Sequence, residues 1–160
     1  MICVSETPID SSAALKAFEE EIAQSDTSGA IISFSGRVRG NAASGQVSFL
    51  KLQSYPSMTE KGIAEACQKA QQTWPLDGVH IRHRIGEMQA GDTIVFVATA
   101  SAHRRAAFEA ADFLMDYLKT KAVFWKQEAT PAGATWIEPR AEDYSDAARW
   151  KLKAGTHVET

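Results

Sequence analysis

Residues 78–101 read GVHIRHRIGEMQAGDTIVFVATAS. Two runs rich in β-branched residues, GVHIRHRIGE and TIVFVATAS, flank the short turn MQAGD. Alternating apolar residues bounded by a Gly/Asp turn predict a strand pair. The turn is far too short for the crossover that parallel strands need, so the pair is read as antiparallel.

Working outward, the first four residues read as a short strand. PIDSSAALKAFEEEIAQ follows, with Asp10 or Ser11 as helix cap and Leu15, Phe18 and Ile22 on one face. GAIISFSGRVRG, from Gly29, reads as a buried strand that turns polar at its end; NAASG reads as a loop and QVSFLKLQSY as a strand. SMTEKGIAEACQKAQQTW predicts a helix opened by a Ser57–Glu60 capping box and stopped at Pro75. A helix from about Ala102 carries Ala107, Ala110, Ala111, Leu114 and Leu118 as one stripe. VFWKQEAT, the turn PAGA and TWIEP predict another hairpin, and DYSDAARWKLK a last helix. Helices mixed with short-turn strand pairs define an α+β fold with a largely antiparallel sheet.

The chain has 160 residues, 44% of them hydrophobic and 23% charged, which suits one globular domain with its own core. No repeat or linker divides it; the expectation is a single domain over 1–150 and a charged, flexible tail over 151–160. The net charge of −3 argues against a nucleic-acid partner, which calls for a basic surface. Cys3 and Cys67 stand far apart and outside any CxxC pair, so neither a disulfide framework nor a zinc site is expected. With no basic leader and no 18-residue uncharged apolar run, a cytoplasmic protein without a membrane span is expected.

Three basic constellations stand out. In SGRVRG, residues 35–40, Arg37 and Arg39 share one face of a strand end between two glycines. Guanidinium forks match phosphate oxygens, although a solvated strand end gives the same pattern. In SAHRRAAFEA, residues 101–110, His103, Arg104 and Arg105 open a helix, where the macrodipole opposes cations and free backbone N–H groups attract anions. They suit a phosphate or carboxylate, or else they point to water or pair with Glu109. In DYLKTKAVFWKQE, residues 116–128, Lys119 and Lys121 sit favourably at a helix C-terminus, while Lys126 shares a strand face with Phe124 and Glu128. Lys126 could serve as an acid–base group or stabilise an oxyanion; a plain Lys126–Glu128 pair is the competing reading. His80 and His83 fall on opposite sides of a strand and cannot share an ion. No metal motif, phosphate loop or dinucleotide fingerprint is present, and no metal or cofactor is expected.

Taken in series, GAIISFSGRVRG, YPSMTEK, HRIGEMQAGDTIVFVATASAHRRAAFEAADFLMDYLKTKA, FWKQE and the later TW resemble the large, catalytic subunit family of molybdopterin synthase. Each fragment is weak alone; their order and spacing across residues 29–137 make the resemblance specific. It implies an α/β hammerhead fold with an additional antiparallel sheet. It also implies a sulfurtransferase that converts cyclic pyranopterin monophosphate to molybdopterin. The two dithiolene sulfurs would arrive as the C-terminal thiocarboxylate of a small ubiquitin-like subunit, whose Gly-Gly tail threads into the site. A homodimer carrying one small subunit at each end, a heterotetramer, is implied as well.

The resemblance makes Lys119 and Lys126 catalytic, the first near the thiocarboxylate carbon and the second near the pterin. Arg39, His103 and Arg104 would bind the substrate's phosphate. Arg37, Val38, Gln127 and Glu128 would line the same substrate pocket, with Phe34 and Met115 as its apolar wall. Three departures stand out: Val123 where the family usually has proline, Arg37 where it often has lysine, and a tail after Trp150 without a counterpart. Two rival functions are a non-catalytic module for a ubiquitin-like protein and a metal-free phosphoesterase using His103.

Overall fold

The computed structural model describes residues 1–42, 45–122 and 124–153. Its first sheet has the order β1 (Ile2–Ser5), β6 (Gly78–Arg84), β8 (Thr93–Ser101), β2 (Ala30–Arg37). β1 runs parallel to β6, and the β6–β8 and β8–β2 pairs are antiparallel. The antiparallel pair expected over 78–101 is therefore present, with Ile81 opposite Val97, but its first strand ends at Arg84, and Gly86–Met88, expected as strand end and turn, pair with Leu50–Leu52 in the other sheet.

β8 is buried from Val95 to Ser101, and its alternation divides the core. Phe96, Ala98 and Ala100 pack with Ala14, Phe18 and Ile22 of α1 (Ser11–Ile22). Val95 and Val97 join Ile81, Ile63 of α2 (Pro56–Thr73) and Phe113, Leu114 and Leu118 of α3 (Arg104–Thr120) on the other face. Asp10 caps α1, accepting from the Ser12 and Ala13 N–H groups at 2.9 and 3.0 Å. The stripe expected on α3 is the stripe that is buried.

The second sheet has the order β10 (Gly133–Ile137), β9 (Phe124–Thr130), β5 (Phe49–Ser54), β7 (Gly86–Met88), antiparallel at every pairing. The chain passes from the first sheet to the second at Gly86, whose φ of +82° is the left-handed conformation that side chains disfavour. β3 (Asn41–Ala42) and β4 (Gly45–Gln46) form a small separate pair. Lastly, α4 (Ala141–Lys153) lies against α3, with Trp150 buried edge-to-face on Trp74 and Phe113.

The fold is thus mixed α+β with two main sheets. Three further local expectations change. α2 opens without the Ser57–Glu60 capping box: Pro56 is its first residue and Tyr55 its cap, because proline fixes the helical φ and needs no N–H partner there. β2 is an edge strand with Ile31 and Phe34 exposed, not a buried one, since among the described residues only β8 pairs with it. Asn41–Ala42 and Gly45–Gln46 pair as short strands where a loop was expected. The last helix is present through Lys153; Val123 and residues 154–160 of the expected tail lie outside the described residues. Among the described residues no helix is long and apolar enough to cross a membrane.

His80 and His83 are buried on opposite faces of β6, His80 between Phe18 and Phe96 and His83 stacked on Phe124 at 3.9 Å. Burial, reinforced by the N-terminal ammonium and Arg82, holds His80 down at about 4. Burial does the same to His83, also at about 4, against an opposing bond to the Arg84 carbonyl. Both imidazoles are neutral in the fold, whereas unfolded imidazoles protonate near 6.5. Between those values the unfolded chain binds more protons, so stability is full above about pH 6.5 and falls as the pH drops toward 4. We expect urea midpoints to decrease steadily across that window. His80→Gln, which cannot titrate but keeps an acceptor for Arg82, should flatten the decline by on the order of 1 kcal/mol per pH unit.

Candidate active site

The site begins where β2 ends. A bulge at Gly36/Arg37 breaks the β2–β8 register and turns the chain away from the first sheet. Gly36 is required there: a Cβ would sit 2.9 Å from Val95 Cγ1 and 3.3 Å from the Phe34 ring. Val38 is then buried with Leu50, Leu52 and Met88 under the second sheet, which anchors the segment between the sheets. Period-two alternation leaves Arg37 and Arg39 on its exposed side. Arg37 Nε donates to the Gly91 carbonyl at 2.8 Å, so its fork is tied to the 89–92 turn. Asp92 braces that turn by accepting from the Gln89 N–H at 2.9 Å and from Arg84 at 3.0 Å. The Gln89 bond above all, with help from Arg84 and Arg37 and against desolvation, keeps the Asp92 carboxyl below its usual range.

Facing this segment is β9. Lys126 lies opposite Leu52 of β5 and Ile137 of β10, with Nζ 3.6 Å from Glu128 Oε1. The pair stands on the face of β9 that carries Phe124, and Trp125 is exposed on the other face. Arg37, Val38, Arg39, Lys126 and Glu128 line one small open pocket, joined by Asn41 and Ile94. Three cations against one carboxylate leave it with a net positive charge, and an anion is the ligand it can hold.

The remaining expected residues sit elsewhere in the chain. Gln127 shares the opposite face of β9 with Trp125 and is not among the pocket-lining residues. Phe34 is exposed on the β2 edge, and Met115 is half-buried against the α3 side of the core; neither lines the pocket. His103 caps α3 through its backbone, without a side-chain cap bond, and its N–H donates to Ser101 Oγ at 3.3 Å. Arg104 and Arg105 are exposed in a first turn that contains no acidic residue. They lie beyond the Ser101 end of β8, whereas Arg37 pairs with Thr93 at its start. At about 3.3 Å per residue, strand β8 holds the two arginine groups roughly 26 Å apart within one chain.

Lys119, in the last turn of α3, donates to Asp143 Oδ1 at 3.1 Å. Asp143 Oδ2 also accepts from the Arg140 N–H at 2.9 Å. Arg140 follows Ile137 by three residues, at most about 10 Å of chain, so both lysines belong to the β9–β10 end of the molecule. Asp143 and Arg140 were not found by sequence reasoning. Their only signal was the Arg140-to-Asp143 spacing of a helix start, and nothing in it pointed to a lysine 24 residues away. Among the described residues no group of three or more His, Cys, Asp or Glu side chains could hold a metal ion.

A two-sheet α+β protein with a cationic pocket at the sheet junction is the class that fold and site define. Residues 4–121 match the family model for the MoaE protein. The chain is 51% identical over 129 residues to the molybdopterin synthase catalytic subunit of Escherichia coli K12, covering 81% of this chain and 86% of that one. A molybdopterin biosynthesis MoaE protein from Burkholderia ambifaria superposes with a TM-score of 0.77 at 38% identity, covering 94% and 97% of the two chains. A structure described as a protein–protein complex of subunits 1 and 2 of molybdopterin-converting factor from Helicobacter pylori matches at TM-score 0.73 and 19% identity, over 87% and 91% of the chains, and shares the fold. The chain belongs to the MoaE family, the catalytic subunits of molybdopterin synthase, enzymes of molybdenum cofactor biosynthesis.

If the pocket binds anions through its guanidinium groups, inorganic pyrophosphate should shift the amide NMR signals of residues 37–39 and 126–128. Arg39→Ala should weaken that binding about 10-fold, since a hydrogen bond to a charged group contributes about 1.5–3 kcal/mol. Unchanged affinity would remove Arg39 from the site.

Proposed function

We propose that the chain inserts the two dithiolene sulfurs of molybdopterin into cyclic pyranopterin monophosphate, in the cytoplasm. The sulfur donor is the C-terminal thiocarboxylate of a small ubiquitin-like subunit. The observation that carries this reading is the meeting of Arg37, Arg39 and Lys126 on one open pocket at the junction of the sheets. Arg37 and Arg39 offer donors to the cyclic phosphate, and Lys126 stands beside them to transfer protons to the pterin or to stabilise charge that develops there. Glu128, 3.6 Å from Lys126, fixes where that ammonium sits. Lys119 receives the partner's anionic tail at the neighbouring α3 terminus. The relatives described above support the enzyme, and the complex from Helicobacter pylori supports a two-subunit assembly.

His103 and Arg104 enter this scheme through the homodimer. In one chain they stand at the wrong end of β8, yet among the described residues β2 offers an unpaired edge of 8 residues. A second copy related by a two-fold axis perpendicular to that edge sets its β2 antiparallel to the first. Its α3 N-terminus would then lie beside the first copy's Arg37–Arg39 segment, and the cations converge. The small subunit bound at each end completes a heterotetramer.

Both statements are open to measurement. Purified protein, a thiocarboxylated small subunit and cyclic pyranopterin monophosphate should yield molybdopterin, read as its fluorescent oxidised derivative. Lys126→Ala and Lys119→Ala should each lower the rate by about 100-fold or more, the range for losing a proton-transfer group. Lack of product from a folded wild type with a competent partner would refute the sulfur-transfer reading, and full activity in both variants would demote the lysines. Mixing inactive Arg104→Ala protomers with inactive Lys126→Ala protomers should restore activity, because hybrid dimers carry one intact composite site. No restoration, once hybrids are shown to form, would put Arg104 outside the shared site.

A further inference from the structure

We propose that Asp143 is a positioning residue for Lys119, fixing the lysine's ammonium so that its remaining N–H donors face the incoming anionic tail. The proposal rests on the reading above that Lys119 serves in sulfur transfer. It is motivated by a carboxylate whose two oxygens have separate tasks. Oδ1 takes the Lys119 ammonium at 3.1 Å, and Oδ2 takes the Arg140 backbone N–H at 2.9 Å. The Asp143 N–H in turn donates to the Arg140 carbonyl at 3.0 Å. The first bond is the side-chain half of a capping box and the second is a backbone turn bond, so together they fasten the carboxylate to the first turn of α4.

α4 itself is held against α3. Arg149 bridges Asp112 and Asp116 at 2.8 and 2.9 Å, and the Trp150 indole N–H donates to Asp116 at 2.7 Å. These contacts lie one and two turns before Lys119 along α3, on the same helix that presents the lysine. The acceptor and the lysine are therefore fixed to two elements that cannot slide past one another.

An ordinary surface ion pair does not fit this arrangement. Exposed pairs hold two flexible side chains together and contribute little. Here the Asp143 side chain is only 12% accessible and doubly bonded, while the Lys119 side chain is 49% accessible. The acidic partner is rigid and the basic one is open to a ligand. A lysine ammonium has three N–H donors, and Asp143 uses one of them. The others remain for the carbonyl or thiocarboxylate of an entering chain end, which needs such donors as charge builds on it. Burial alone would raise the Asp143 carboxyl, yet the Arg140 N–H and Lys119 together hold it below its ordinary value. It is thus ionised whenever the enzyme works.

The test uses the full chain with its thiocarboxylated small subunit. Asp143→Asn keeps an oxygen for the Arg140 N–H and removes the charge that Lys119 meets. We expect kcat to fall about 10-fold to 100-fold, the scale of a misplaced reacting group, with KM for the small subunit changed less than about 2-fold. Lys119 should be modified several-fold faster by an amine reagent, read by mass spectrometry against Lys126 in the same sample. In a Lys119→Ala background, adding Asp143→Asn should cost nothing further, since groups acting through one another are non-additive. Asp143→Glu, which restores the charge, should recover part of the loss. Wild-type kcat in Asp143→Asn, unchanged labelling of Lys119, or an additive double variant would each overturn the proposal. Absence of product from the wild type would instead strike the sulfur-transfer reading, and the labelling comparison would still decide whether Asp143 holds Lys119.

Discussion

The double-sided burial of β8 is the constraint on which the rest of the molecule depends. A strand covered on both faces must be apolar at successive positions, and its alternation then assigns each helix a side. Phe96, Ala98 and Ala100 create the bed for α1, and Val95 and Val97 the bed for α2 and α3. A polar or charged side chain at any of these places would be buried without a partner, at a cost of several kcal/mol. Even the buried Thr99 obeys this rule, donating its hydroxyl to the Ala107 carbonyl at 2.8 Å.

Both ends of this strand lead to groups of cations. At its start, the bulge in β2 and the switch of sheets at Gly86 bring two sheets edge to edge, and the basic pocket forms in the seam. At its end, the Ser101 hydroxyl joins the segment after α2 to the start of α3, donating to the Pro75 carbonyl at 2.7 Å and accepting from the His103 N–H. A rigid core strand thus sets the separation of two groups of cations, which loops alone could not fix.

The α3–α4 contact adds a second level of control. Asp116 is a buried carboxylate, which is stable only because Arg149 and the Trp150 indole both donate to it. The burden falls on a helix near the end of the chain, and the benefit is an oriented carboxylate beside Lys119. A polar cluster of this kind contributes less to stability than to holding α4 in one place.

The sequence by itself determined the four helices and the main strands, the antiparallel hairpins, the α3 stripe and the family, because these depend on local periodicity, turn length and motif order. Arg37 with Arg39, and Lys126 with Glu128, could be picked out as two strand-borne pairs, since alternation fixes which residues of one strand share a face. Only the tertiary structure decided that β2 is an edge and that His103 and Arg104 stand a strand length from Arg37. The same is true of the Asp143–Lys119 contact. Those facts depend on which strands pair and where α4 docks, contacts between residues tens of positions apart that no local pattern encodes. Pro56 marks the boundary between the two: the helix was legible, but its first residue was set by the φ restriction of proline and not by the serine that matched the capping pattern.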